Sequence, residues 1–153
     1  MITNEKKRVL QQFLNISDDN LDELKQSEYE KDGLEYGKEE YLVLTEEEAD
    51  ARAKETIANE LWAFNADFLL RHNKNCDEMN NWEWDAAIET IRKAQGKLAD
   101  SLNGLARCLI SDLDEFVEDA ICEDGRGRFL AIYDGYENEE VVEGVTYYIY
   151  RIG

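Results

Sequence analysis

The spacing of hydrophobic residues along this chain predicts a mainly helical protein. The best-defined stripe consists of Ile57, Leu61, Phe64 and Phe68. Steps of three or four residues place such a stripe on one face of an α-helix. Thr45 and Glu48 precede it with the spacing of a capping box, in which each side chain binds the other residue's backbone amide. The pattern therefore predicts a helix from Thr45 to about Arg71.

A second hydrophobic run predicts another long helix, from about Trp82 to Leu109. Its members keep the same spacing and are Trp84, Ile88, Ile91, Leu98, Leu102, Leu105 and Leu109. Gly96 and Gly104 lie inside this run, and each costs about 1 kcal/mol relative to Ala in a helix. A break or a close helix crossing at these glycines is the alternative to one continuous helix.

Three shorter helical segments are predicted as well. Residues 1–14 carry apolar residues at helical spacing, and Ser17 is positioned to cap a weak second helix. Ser111 is positioned to cap a third one, which should end at Gly125. The glycine-containing segment 29–37 is predicted to be irregular.

Near the C-terminus the hydrophobic period changes from 3.6 residues to 2, which indicates strands. The two predicted strands are 128–133 and 145–151, with Asp134 and Gly135 as a turn signal. The segment 40–44 is a candidate strand that would join them. The predicted fold class is α+β, with a mainly helical body of two long and several shorter helices and a C-terminal antiparallel β-hairpin or small sheet.

Length and composition narrow the class of protein. A chain of 153 residues predicts a single compact domain over 1–153. Hydrophobic residues make up 43%, too many for a disordered acidic chain. The net charge of −19 argues against direct binding to nucleic acid or to anionic membranes, both of which need a basic footprint. Without an apolar leader or a membrane-spanning stretch, the predicted location is the cytoplasm.

No cofactor, metal or catalytic residue is predicted. Cys76, Cys108 and Cys122 contain no CxxC pair, and the last two lie among apolar residues, so they are predicted to fill core. His72 follows a predicted helix end, where a capping role is favoured. Residues 124–128 are rich in glycine but lack the Lys-Ser/Thr of a phosphate-binding loop.

Acidic residues are concentrated in the last 43 residues, which hold twelve acidic and three basic residues. On the predicted helix after Ser111, the carboxylates recur at about 5–6 Å, a spacing similar to that of phosphates along a nucleic-acid strand. The predicted partner-binding residues, on this helix and on the neighbouring hairpin tip, are Asp112, Asp114, Glu115, Glu118, Asp119, Glu123, Glu137, Glu139 and Glu140. The alternative is a solvated acidic face that maintains solubility. For 134–140, a metal site is a further alternative, although the central glycine of a calcium loop is missing.

Parts of the sequence resemble small phage and mobile-element proteins. The resemblance is carried by EDGRGRFL at 123–130, YDGYE at 133–137 and YIYRI at 148–152, and by the stretch from YLVLT at 41–45 to LWAFN at 61–65. In its small size, acidity and cytoplasmic character the chain is also similar to DNA-mimicking inhibitors of host defence, the antirestriction and anti-CRISPR proteins. The first resemblance implies an origin, and the second implies a host nuclease as the partner.

The predicted function is a non-enzymatic phage or mobile-element inhibitor that occupies the basic nucleic-acid channel of a host CRISPR or restriction nuclease. Tyr133, Tyr136 and Tyr147 are expected to supply anchoring contacts. The first alternative is a phage-encoded adaptor or regulator that binds another protein through an apolar patch. The second is a small acid- or metal-dependent enzyme built on 134–140. The oligomeric state is left open.

Overall fold

A computed structural model describes residues 3–153 and confirms the α+β class. The helices are α1 (Asn4–Leu14), α2 (Glu46–Asn59), α3 (Ala66–Arg71), α4 (Asn81–Leu98), α5 (Asn103–Leu109), α6 (Leu113–Asp124) and α7 (Arg126–Leu130). The strands are β1 (Leu24–Gln26), β2 (Gly33–Tyr36), β3 (Glu39–Leu44), β4 (Asn138–Val142) and β5 (Val145–Arg151). Met1 and Ile2, the start of the predicted 1–14 helix, lie outside the described residues.

The chain divides into two compact units. Unit 1 comprises Met1–Ala53 and Glu123–Gly153, and unit 2 comprises Lys54–Cys122. Unit 1 is therefore built from two separate segments of the chain. The single domain over 1–153 stays a prediction.

Unit 1 is organised around an antiparallel sheet with the order β1-β2-β3-β5-β4. β3 joins the two chain segments because it pairs with β5, with Leu44 opposite Tyr148 and Tyr41 opposite Arg151. The predicted strands at 40–44 and 145–151 are confirmed. β1 and β2 were not predicted, because strands of three and four residues are too short to show a period of two.

Helix α1 supplies the core on one face of this sheet. Val9 and Leu10 are fully buried and pack with Leu34, Val43 and Ile149. Thr3 caps the start of the helix, with its side chain accepting from the Lys6 amide, and Asn15 ends it in the left-handed conformation. The alternation along β5 leaves Tyr148 and Tyr150 on the opposite face, where α7 contacts the strand.

The predicted strand at 128–133 is wrong, because its first residues belong to α7. A short run of apolar residues fits a buried helix as well as a strand, and here tertiary packing decides. The Asp134-Gly135 turn is consequently not the hairpin turn. That turn lies between β4 and β5, where Glu143 and Gly144 both have positive φ.

The two predicted long helices are each interrupted in unit 2. The helix that begins after Thr45 ends at Asn59 rather than near Arg71, and a 3-10 turn over Leu61–Ala63 separates it from α3. The second ends at Leu98, followed by a 3-10 turn and α5. The capping box that starts α2 is confirmed by both reciprocal hydrogen bonds.

Side-chain amides satisfy the backbone groups that the interruption after Asn59 releases. Asn103 Nδ2 donates to the carbonyl oxygen of Ala58 at 2.9 Å, and its Oδ1 accepts from the Trp62 amide at 3.1 Å. Gln95 Nε2 donates to the carbonyl oxygens of Trp62 at 2.9 Å and Phe64 at 2.6 Å. Because buried backbone groups need partners, these two amides stabilise the break after Asn59.

Two further predictions are corrected by exposure and capping. Cys108 and Cys122 are exposed, so they do not fill core. Ser17 precedes a 3-10 turn at Asp18–Glu23 and forms no side-chain cap.

None of the helices formed by residues 3–153 is long and apolar enough to cross a membrane.

Candidate partner-binding surface

The α6 acidic face is the exposed side of helix α6 together with its capping residue. Phe116, Val117 and Ala120 are buried on the opposite side of the helix. The acidic face consists of Asp112, Asp114, Glu115, Glu118 and Asp119 in unit 2, and all five are exposed. Glu123, in the last turn of the same helix, is exposed and belongs to unit 1. The amphipathic spacing of the sequence predicted this exposure correctly.

Asp112, not Ser111, caps the start of α6. Asp112 Oδ1 accepts from the Glu115 amide at 3.2 Å. The Ser111 hydroxyl instead accepts from the Lys74 amide at 2.9 Å. One carboxylate of the face is therefore explained by capping and by the favourable position of an anion at a helix N-terminus.

Two further carboxylates of the face have cationic or ionisable partners. Asp114 forms an ion pair with Lys54. Asp119 Oδ2 lies 3.2 Å from His72 Nε2, and the His72 ring, nearly buried, packs against Phe68 and Phe116. His72 caps α3 as predicted. The contact of His72 with Asp119 is not predictable from the sequence pattern, because the two residues are far apart in the chain.

The remaining carboxylates of α6 are not neutralised. Within residues 3–153, Glu115, Glu118 and Glu123 form no ion pair. Glu123 and Asp124 occupy the last turn of the helix, where the helix dipole disfavours anions. Arg128 Nε, 3.6 Å from an Asp124 carboxylate oxygen, compensates in part there. The helix thus keeps acidic residues at positions where they oppose its own stability.

The three hairpin carboxylates predicted for the surface are in different situations. Glu137 lies before β4 and is bound by Arg126 and by the Tyr150 hydroxyl, which donates to Glu137 Oε2 at 2.6 Å. Glu140 accepts from Gln12 Nε2 at 2.6 Å. Glu139 is exposed and forms no ion pair among the described residues. Glu137 therefore serves the interior of unit 1 rather than a docking surface.

Arg126 organises a polar cluster in unit 1 that the sequence did not reveal. Its side chain is 8% exposed, and Nη1 lies 2.8 Å from Glu46 Oε1 and 2.9 Å from Asp50 Oδ1. Its Nε lies 2.9 Å from Glu137 Oε2, and its guanidinium carbon lies 4.4 Å from the centre of the Tyr148 ring. Arg126 is therefore held by three carboxylates within unit 1.

The hydrogen bonds of this cluster shift the acidity of its members. Burial opposes the charged form of Arg126, but the hydrogen bonds to Glu137, Glu46 and Asp50 and the influence of Tyr150 raise its pKa overall. Burial first, and then the hydrogen bond to Glu137, raise the pKa of Tyr150. Arg126 is therefore charged and Tyr150 neutral throughout the physiological pH range.

The three tyrosines expected to anchor a partner are not equivalent. Tyr147 is buried in the core of unit 1, so this assignment is wrong. Tyr133 and Tyr136 are exposed, with 59% and 69% of their surface accessible. Among residues 3–153, no group of three or more His, Cys, Asp or Glu side chains is arranged to hold a metal ion. The α6 acidic face offers carboxylate acceptors, which contact Arg and Lys, and unit 1 exposes the aromatic rings of Tyr133 and Tyr136, which contact apolar side chains.

No protein-family model, no curated protein and no solved structure matches this chain.

Proposed function

We propose that this protein is a non-enzymatic inhibitor of phage or mobile-element origin that acts in the cytoplasm of the host cell. It binds a basic nucleic-acid channel of a host defence nuclease, of the CRISPR or restriction type, through the α6 acidic face. The carboxylates take the positions of phosphates, so the protein competes with nucleic acid rather than binding it.

The observation that carries this proposal is the pattern of unneutralised carboxylates on α6. Helix α6 contains no basic residue, and Glu115, Glu118 and Glu123 are exposed and form no ion pair within residues 3–153. Like charges one turn apart destabilise a helix by a few tenths of a kcal/mol per pair. A basic partner explains why such a surface is kept, because complementary charge speeds association and selects the partner.

Neutralising the face tests this function. We expect Asp112→Asn, Glu115→Gln, Glu118→Gln and Asp119→Asn, combined in one variant, to weaken inhibition about thirtyfold. Four exposed charge contacts at about 0.5 kcal/mol each give about 2 kcal/mol. The measurement is DNA cleavage by a panel of purified CRISPR and restriction nucleases, with the protein titrated at low and moderate salt.

The chosen substitutions keep the fold intact. Asn at 112 still accepts the capping hydrogen bond from the Glu115 amide, and Asn at 119 still reaches His72. Asp114 is left unchanged because it pairs with Lys54. Circular dichroism and thermal unfolding of the variant should therefore match those of the native protein.

A matched control carries the same change of net charge at exposed positions of unit 1. It consists of Asp19→Asn, Asp22→Asn, Glu23→Gln and Glu28→Gln. This control should inhibit as well as the native protein. Equal loss of inhibition in both variants would show that inhibition depends on the net charge alone. Full inhibition by the α6 variant, or no inhibition of any nuclease by the native protein, would contradict phosphate mimicry.

One observation favours a second candidate function, an adaptor or regulator that binds another protein through an apolar patch. Large apolar side chains are exposed in unit 1 between α7 and β4. In this case the α6 acidic face serves solubility, and binding is insensitive to salt.

A further inference from the structure

The segment between α7 and β4, residues 131–137, exposes three large side chains within a few residues. We call it the anchor loop. Ile132 is 76% exposed, Tyr133 59% and Tyr136 69%. Aromatic and large aliphatic side chains of this kind are the typical anchors of protein interfaces. Isolated exposed hydrophobic residues are common on protein surfaces, but three in one short loop form a patch of the kind found at binding sites.

The backbone of the anchor loop is fixed by hydrogen bonds. The Gly135 amide donates to the carbonyl oxygen of Ala131 at 2.7 Å, and the Tyr133 amide donates to that of Arg151 at 3.2 Å. The Tyr136 amide donates to Asp134 Oδ1 at 3.0 Å. A loop that is ordered before binding loses little conformational entropy when it docks. The loop that carries the exposed side chains is therefore already ordered before a partner binds.

Close packing against α7 fixes the loop further. A Cβ atom built at Gly127 would overlap the carbonyl oxygen of Gly135 and lie 2.9 Å from the Glu137 amide nitrogen. The guanidinium of Arg151 lies 3.8 Å from the centre of the Tyr133 ring, and Arg151 also pairs with Glu39 at 3.1 Å. Tyr133 thus supports the scaffold, whereas Ile132 and Tyr136 are the more exposed contacts.

Charge identifies the kind of partner. From Phe129 to Tyr150 the sequence contains no Lys or Arg. The same segment contains Asp134, Glu139, Glu140 and Glu143, besides Glu137, whose charge Arg126 binds. A second copy of the chain would bring like charges together, and nucleic acid would add phosphates to them. A protein surface with Arg and Lys around an apolar pocket is complementary to both the side chains and the charge.

We propose that the anchor loop is a docking site for a protein surface whose hydrophobic pocket is bordered by Arg and Lys, with Ile132 and Tyr136 as the inserted side chains. This site differs in chemistry from the α6 acidic face, since it lies in unit 1 and uses apolar contacts. It does not depend on phosphate mimicry, and it rests on the same exposed side chains as the second candidate function, for which it names the kind of partner.

Two synthetic peptides of equal length and charge test the site, one alternating Arg with Leu and the other Arg with Ser. Each is titrated into the ¹⁵N-labelled full chain. The Arg-Leu peptide is expected to shift the amide signals of 131–137, and its affinity should exceed that of the Arg-Ser peptide at these signals by at least about tenfold. Moderate salt should reduce this difference only slightly.

The variant Ile132→Ser with Tyr136→Ser should lower the affinity of the Arg-Leu peptide at least about tenfold. Both side chains are highly exposed, so the variant should unfold like the native protein. The control is Tyr29→Ser, which removes an 89% exposed tyrosine elsewhere in unit 1 and should leave the affinity unchanged.

Three outcomes would overturn the proposal. They are equal binding of both peptides at 131–137, unchanged Arg-Leu affinity in the double variant, and self-association of the native chain that the double variant abolishes. The amide signals of 112–119 report on the α6 acidic face in the same titration. Salt-sensitive shifts there with the Arg-Ser peptide and none at 131–137 would leave phosphate mimicry standing while the anchor site fails.

Discussion

Replacing Arg126 with Met is expected to lower the free energy of unfolding by about 3 kcal/mol. Met keeps much of the side-chain volume but removes the cation that binds Glu46, Asp50 and Glu137. Glu137 is the least exposed of the three carboxylates and would lose its charged partner. Because Glu46 and Asp50 are more than half exposed, the loss should fall at the lower end of the range for a broken buried ion pair. Urea unfolding at neutral pH measures the change.

The control for this prediction is Arg128→Met, two residues away. Arg128 is largely exposed and contacts Asp124 at 3.6 Å, so its loss should cost less than about 0.5 kcal/mol. Adding Glu137→Gln to Arg126→Met should restore part of the stability, since it removes the unpaired charge. Equal effects of Arg126→Met and Arg128→Met would show that the buried cluster contributes no more than a surface pair.

The cluster also predicts the direction of the pH dependence. The pKa of Glu46 lies below its usual value of 4.5. The largest cause is the hydrogen bond that Tyr148 donates to Glu46, and the interaction with Arg126 adds to it. The stability contributed by this group is fully present above pH 4.5 and is lost as the pH falls through the lowered pKa of the folded state. The stability difference between the native protein and Arg126→Met should therefore narrow in acid. A difference that is constant from neutral pH into acid would contradict this contribution.

Replacing Gly127 with Ala is expected to destabilise the protein by at least about 2 kcal/mol. The added methyl group would overlap the carbonyl oxygen of Gly135 and lie 3.0 Å from the carbonyl carbon of Tyr136. Both are backbone atoms of the anchor loop, which its hydrogen bonds hold in place. The clash is therefore not relieved by a side-chain rotation. Thermal unfolding, together with the amide signals of 131–137, measures the effect.

Gly96→Ala is the matched control, because a Cβ at Gly96 meets nothing within 4 Å. Gly96 lies inside α4, so Ala should stabilise the helix by about 0.5–1 kcal/mol. Replacing Gly with Ala is thus expected to lower the stability of the protein at position 127 and to raise it at position 96. A neutral Gly127→Ala variant would mean that the anchor loop moves freely, and the preorganisation argued for its docking would be lost.

Local chemistry explains which elements were predictable from the sequence. The capping box at Thr45, the strand 145–151 and the buried stripe of α6 are each encoded within a few neighbouring residues. The break after Asn59 is not, because the amides of Asn103 and Gln95 that satisfy it come from elsewhere in the chain. The strand predicted at 128–133 failed because packing against the 135–137 backbone favours a helix there.

The candidate surface, like the fold, was predictable from the sequence only in part. Exposure of the α6 carboxylates follows from helical periodicity, and the structure agrees. The role of Glu137 depends on Arg126 and Tyr150, and that of Tyr147 depends on the position of α1 over the sheet. Such roles are set by tertiary contacts, which a pattern of residue types does not contain.

The two-segment construction of unit 1 sets an order of events during protein synthesis. β3 is made early, but its partner β5 is made only after all of unit 2. Until then one edge of β3 has no neighbouring strand, and the core lacks Ile149 and Tyr150, both fully buried in the finished protein. Unit 2 contains only contacts that are complete by residue 122. On a translating ribosome, all of unit 2 is thus made before β3 gains its second partner, and until then the unpaired edge of β3 is open to aggregation.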